Sequence, residues 1–131
     1  MSKPRILFVD DESTVRSFVQ LALTKAGFDV SIASDGEEAL QVINDKSGDI
    51  DLLVTDIRMP KMDGICLADA MAALYPNIPV LFVSGYPFDL EAEQRKRPAR
   101  SCGFLKKPFL PQRLFEAVRK CLAPPSQAAT A

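Results

Sequence analysis

Leu52-Leu53-Val54-Thr55-Asp56-Ile57-Arg58-Met59-Pro60-Lys61-Met62-Asp63-Gly64 decides the fold. An apolar run stops abruptly at a carboxylate, and a loop bearing Pro60 and Gly64 follows before the next helical pattern begins. Asp56 is therefore expected at the end of a strand. Three other stretches repeat the design: Ile6-Leu7-Phe8-Val9 runs into Asp10-Asp11, Val80-Leu81-Phe82-Val83 into Ser84-Gly85, and Phe104-Leu105 into Lys106-Lys107-Pro108. Runs apolar at every position suit parallel strands covered on both faces, because a half-exposed antiparallel strand would alternate. Such a sheet opens all its carboxyl ends on one edge, where α/β proteins take their ligands. Asp10, Asp11, Asp56, Ser84 and a lysine are predicted to meet there.

Between these runs the spacing turns helical. Residues 12–26 place Val15, Phe18, Val19, Ala22 and Ala26 on one face, with Leu21 off it as an ordinary exposed leucine, and Gly27 stops the helix at C′. Phe28 to Ala33 reads as a second strand. Asp35-Gly36-Glu37-Glu38 resembles a capping arrangement, with Asp35 accepting from the free amides and Glu38 reaching back, for a helix running to about Lys46. Asp63 can cap a third helix whose inward face is Leu67, Ala70, Met71 and Leu74. From Ser84 to Ser101 the pattern weakens: Phe88 and Leu90 could anchor a helix, but Arg95, Lys96, Arg97 and Arg100 cluster around Pro98. Residues 88–101 are expected to be mobile and to read partners. Gly103 to Leu105 makes a short fifth strand, and Leu114, Phe115, Val118 and Leu122 stripe a last helix that begins at Pro111. Residues 4–122 form one domain in this reading, and 123–131 a disordered tail. Five strands alternating with five helices predict a doubly wound five-stranded parallel α/β sandwich, flavodoxin-like, with strand order 2-1-3-4-5.

The 131 residues, 47% of them hydrophobic, carry one core's worth of apolar mass. Sixteen basic and 17 acidic side chains leave a formal charge of -1, which gives no global attraction for nucleic acid or an anionic membrane. No apolar stretch approaches the roughly 18 residues of a membrane span, nor does the start have the apolar run of a signal peptide. A cytoplasmic protein is expected. Cys66, Cys102 and Cys121 are odd in number and lack metal-ligand spacing, so they are expected to be reduced packing residues, not a disulfide framework or a zinc site.

Three carboxylates at one strand edge repel unless a cation joins them or one takes a proton. Magnesium prefers oxygen ligands, keeps several waters and needs only one or two protein carboxylates, so the set suits a site completed by phosphate oxygens. Phosphoryl transfer asks mainly for positioning and charge neutralisation. Asp10 or Asp11 for the metal, Lys107 for one oxygen and Ser84 for another would supply these, and ionised Asp56 is itself a nucleophile able to form an acyl phosphate.

Asp10-Asp11, Asp56 with Met59-Pro60-Lys61-Met62-Asp63-Gly64, Ser84-Gly85 and Lys107-Pro108-Phe109, in this order and each at a strand end, resemble the receiver domain of bacterial two-component response regulators, either stand-alone and chemotaxis-regulator-like or excised from a hybrid histidine kinase. The resemblance covers about residues 4 to 122. It implies that Asp56 is the phosphoacceptor and that Asp11, Asp56 and the Arg58 carbonyl ligate magnesium, with Asp10 assisting through water. It implies that Lys107, before a cis proline, holds the phosphoryl group while Lys106 points away. Ser84 and Phe104 match the family's switch positions, and Arg58 and Tyr86 those that tune dephosphorylation. The donor would be a histidine kinase or a histidine phosphotransfer protein, since this chain has no histidine, and the output a downstream protein target. No nucleic acid or membrane partner and no effector domain are expected. The oligomeric expectation is a monomer or a weak phosphorylation-dependent dimer.

Three rival classes are weaker. An aspartate-nucleophile phosphatase usually carries a second aspartate two positions on, where this chain has Arg58. A dinucleotide-binding fold would need glycines after the first strand, not Asp10-Asp11-Glu12. A pseudo-receiver that never sees phosphate would not need the full acid, hydroxyl and lysine set.

Overall fold

The computed structural model describes residues 3–86 and 101–123. Its elements run β1 (Arg5–Val9), α1 (Ser13–Lys25), β2 (Asp29–Ala33), α2 (Gly36–Asp45), β3 (Leu52–Asp56), α3 (Gly64–Leu74), β4 (Val80–Ser84), β5 (Ser101–Lys106) and α4 (Pro111–Leu122). All strand pairs are parallel, in the order β2-β1-β3-β4-β5. This is the doubly wound sheet expected from the apolar runs. The further helix expected over residues 88–100 lies outside the described residues, as do the tail from 124 onward and all but Ser101 of the segment expected to be mobile.

The reason the central strands β1, β3 and β4 carry uninterrupted apolar runs is visible in the two cores. Leu7, Val9, Leu53, Val80 and Phe82 point to the side covered by α2 and α3, where Ala39, Ile43, Leu67 and Met71 meet them. Ile6, Phe8, Leu52, Val54, Leu81 and Val83 point to the side of α1 and α4, against Val19, Leu23, Leu114 and Val118. Period-two side chains between two helical layers leave no solvent face.

Local signals set the helix ends. Gly27 takes φ 99°, the Gly27 amide donates to Thr24 and the Phe28 amide to Leu23, the double bond of a Schellman stop. Asp35 accepts from the Glu38 amide at 2.9 Å, and Asp63 from the Cys66 amide at 2.8 Å. The Glu38 carboxylate does not complete a capping box but accepts from Ser34 Oγ at 2.8 Å.

Three further expectations are corrected. Phe18 is 43% exposed: the stripe that α1 buries is Val15, Val19 and Leu23, four residues apart, and Phe18 falls about 100° away on the helical wheel, beside Pro108 and Phe109. Leu74 is 59% exposed, because α3 buries Gly64, Leu67, Ala68 and Met71 and its last turn hands over to Tyr75, whose ring packs against Gly48. Cys102 and Cys121 form a disulfide. A count of cysteines carries no information about which strand meets which helix; Cys66, exposed on α3, stays a thiol.

Candidate functional site: an acidic cluster bridged by a lysine

Strand register assembles the site. Val9 pairs with Thr55, so Asp10 emerges level with Asp56; Asp56 pairs with Val83, so Ser84 follows on the next strand; Ser84 pairs with Lys106, one residue before Lys107. Ligand oxygens of Asp10, Asp11 and Asp56 lie within 4.8 Å of one another. Asp10 and Ser84 are fully buried, Asp56 nearly so, and Asp11 is exposed. The cluster therefore has a closed floor and one open side.

Lys107 Nζ donates to Asp10 Oδ2 at 2.6 Å and to Asp56 Oδ2 at 2.9 Å. Burial pushes the Asp56 carboxyl above its ordinary value; the Lys107 hydrogen bond and charge pull it back only partly, and Asp10 and Asp11 push it further up. Lys107 shows the mirror case. Burial alone would lower its pKa, but the hydrogen bonds and charges of Asp10 and Asp56 outweigh that, and its net shift is upward. The ammonium is thus firmly cationic and the site short of positive charge.

Backbone contacts hold these groups still. Asp10 Oδ1 accepts from the Glu12 amide at 2.9 Å, and Arg16 Nη1 donates to the Asp10 carbonyl at 2.8 Å. The Lys107 amide donates to the Ser84 carbonyl at 2.9 Å, and Lys107-Pro108 is cis. Ser84 Oγ accepts from the Tyr86 amide at 3.0 Å. After β3 the chain turns tightly, with Lys61 at φ 68°, and the Gly64 amide returns to the Ile57 carbonyl at 2.7 Å. A Cβ at Gly64 would collide with the Asp56 carbonyl oxygen, so only glycine lets α3 start this close to the phosphoacceptor candidate.

Asp11, Glu12, Asp56, Arg58, Gly85, Tyr86 and Lys107 line one cleft of about 480 Å³. Across its mouth the Arg58 guanidinium lies 3.9 Å from the Tyr86 ring centroid. Phe104, half-buried on β5, stacks on Phe82 of β4 with centroids 6.0 Å apart and planes at 23°. Lys106 is exposed. Arg16 went unmentioned in the sequence reading, and Gly64 was given no role at the site. Arg16 looks like any helix-surface arginine, whereas Gly64, a poor helix former opening a helix, was a signal for close approach.

A family model described as "Response regulator receiver domain" matches residues 6–119. The chain belongs to that family. Among curated relatives, the receiver domain is 38% identical over 117 residues to the sensor kinase CckA of Brucella abortus, covering 89% of this chain and 12% of the kinase. It is 33% identical to the response regulator receiver protein CpdR of the same organism, covering 90% of this chain and 96% of that protein. The chain spans only 12%, 25% and 51% of three of the larger relatives it matches. Its fold overlays the chemotaxis response regulator CheY4 of Vibrio cholerae with a TM-score of 0.81 at 29% identity, over 92% of this chain and all of that one.

Membership makes this a signalling domain of two-component systems, a phosphorylation-dependent switch. Receiver domains bind magnesium in an acidic pocket, and the residues here fit that ion: three carboxylates offer only oxygen, and exposed Asp11 leaves a side open for bound water. Among the described residues, no helix is long and apolar enough to cross a membrane.

Proposed function

We propose that the chain accepts a phosphoryl group on Asp56 from the phosphohistidine of a kinase or histidine phosphotransfer protein, and passes the change to a downstream protein through the surface around residues 84–122. The observation that carries this is Lys107 Nζ bridging Asp10 and Asp56, with Asp11 alongside. An Asp56 Oδ attacks phosphorus, an O–P bond forms, and the N–P bond to the donor histidine breaks with its electron pair returning to the imidazole. Lys107 Nζ then moves its hydrogen bonds from the carboxylates to a phosphoryl oxygen. Ser84 Oγ, which accepts from the Tyr86 amide, turns to donate to a second oxygen.

Asp11, Asp56 and the Arg58 carbonyl would hold magnesium, with Asp10 acting through water, and the ion supplies the positive charge that neutralises the phosphoryl oxygens. Displacing Ser84 disturbs the end of β4 two residues beyond Phe82, whose partner in register is Phe104, so the Phe82–Phe104 stack is the natural first relay outward. The reaction is the domain's own phosphorylation and dephosphorylation, not turnover of a metabolite, and its setting is the cytoplasm. Neither nucleic acid nor membrane is a partner in this reading, and the oligomeric form is a monomer or a weak phosphorylation-dependent dimer.

Acetyl phosphate labelling followed by mass spectrometry tests it. One phosphoryl group on Asp56, lost in Asp56→Asn and on chelation of magnesium, is the expected result; labelling that persists in either case would overturn the assignment.

A further inference from the structure

The disulfide sits in a place that the strand had to be bent to reach. Along β4 and β5, Val80 pairs with Ser101 and Leu81 with Gly103, so Cys102 is the extra residue of a bulge. Phe104 packs on the α2 and α3 side and Leu105 on the α1 and α4 side. Plain alternation would put Cys102 with Phe104. The bulge instead turns Cys102 onto the α4 side, where Cys121 packs in the same cluster, with Cα atoms 5.1 Å apart. A Cβ at Gly103 would meet Leu81 Cδ1 at 3.3 Å and come into ordinary contact with the Cys121 sulfur at 3.7 Å, so the residue beside the disulfide is closely packed.

The reduced pair is also provided for. Cys102 Sγ lies 3.4 Å from the Val80 carbonyl oxygen, an acceptor ready for a thiol. Both cysteines are only half-buried, and Cys121 opens on a cleft lined by Lys3, Pro4, Asp51, Pro79 and Leu122. In a reducing compartment a disulfide that forms is transient and regulatory more often than structural.

We propose that Cys102 and Cys121 are a reversible thiol–disulfide modification site whose oxidation locks β5 to α4. The 19-residue separation encloses Phe104 and Lys107, so the covalent ring holds the unit which, on the function proposed above, carries the signal. The oxidant is a low-molecular-weight disulfide. The Cys121 thiolate attacks one of its sulfurs, forming a mixed disulfide and expelling one small thiolate. The Cys102 thiolate then attacks the Cys121 sulfur and expels the second. Two protein S–H groups lose two electrons and two protons, and the small disulfide becomes two thiols.

The test uses the full chain carrying Cys66→Ser, equilibrated across ratios of oxidised to reduced glutathione, then alkylated and weighed. Cys102 and Cys121 should lose alkylation together in one transition that dithiothreitol reverses. Alkylation of both in excess oxidised glutathione, accumulation of the mixed disulfide alone, or resistance of the folded protein to dithiothreitol would overturn the site. Hydrogen exchange over residues 101–122 should be about tenfold slower in the oxidised form, through loss of local opening, and should ignore the oxidant in Cys102→Ser. Equal exchange in the two redox forms, or oxidant sensitivity surviving Cys102→Ser, would overturn the lock. Neither measurement uses a phosphoryl donor, so failure here and failure of the Asp56 assignment are separate outcomes.

Discussion

The guanidinium of Arg58 lies 3.9 Å from the centroid of the Tyr86 ring, joining the loop after β3 to the loop after β4 across the mouth of the acidic cleft. A cation–π contact at such a partly exposed place contributes about 0.5–1 kcal/mol, enough to bias closure without sealing it. Hydrolysis of an acyl phosphate on Asp56 needs water to approach opposite the aspartyl oxygen, through this mouth. Tyr86→Ala is therefore expected to speed autodephosphorylation several-fold, each tenfold being about 1.4 kcal/mol of barrier. Phosphate release unchanged in both Tyr86→Ala and Arg58→Ala would show that the pair does not gate water.

Lys107→Ala should keep magnesium binding, or tighten it, because an ammonium that competes for the Asp10 and Asp56 oxygens is removed. Phosphorylation should no longer produce the conformational response. Fluorescence titration with magnesium and long-range NMR shifts with beryllofluoride, a phosphoryl stand-in, read the two halves. Lost magnesium affinity, or shifts equal to those of the parent, would contradict the role given to Lys107.

Asp56→Asn is expected to stabilise the metal-free protein at neutral pH. The folded-state pKa of Asp56 is raised, chiefly by burial, so the folded protein holds that proton more tightly than the unfolded chain. The Asp56 contribution to stability therefore falls as pH rises from below its unfolded value of 3.8 through its raised folded value, and neutral pH carries the full penalty. Removing the charge should gain on the order of 1 kcal/mol, the usual scale of a single substitution. Thermal melts in chelator check the sign. Saturating magnesium should then stabilise the parent more than the variant, by up to about 2.7 kcal/mol at a hundred times the dissociation constant.

Gly64→Ala should cost about 1–3 kcal/mol, the range for inserting a methyl group into a packed site, because the new Cβ meets the Asp56 carbonyl oxygen. It should also slow Asp56 labelling by displacing that residue. A variant with parental stability and labelling rate would show that the loop relaxes freely.

The sheet was legible because burial on both faces fills the central strands β1, β3 and β4 with apolar runs, and the strand ends because each run meets a polar residue abruptly. Those same ends carry the Asp10, Asp56, Ser84 and Lys107 positions, so their convergence needed only parallel topology. Helix faces were less legible. Phe18 and Leu74 obey helical spacing, but which edge of a wide stripe is buried depends on the neighbouring layer, as does the end of the last turn. The Cys102–Cys121 bond was invisible for a related reason: alternation puts Cys102 on the wrong face, and a one-residue bulge leaves no mark in composition or period.

Asp10 and Lys107 touch across 97 residues of sequence, whereas Asp10 and Asp56 both belong to the span that forms β1 and β3. On a ribosome, the carboxylates emerge and can pair their strands well before the lysine does. Until β5 docks, the acids face one another without that ammonium, and the repulsion opposes premature closure of the half-made sheet. The ammonium that offsets the paired acids thus arrives only with β5, the edge strand of the sheet.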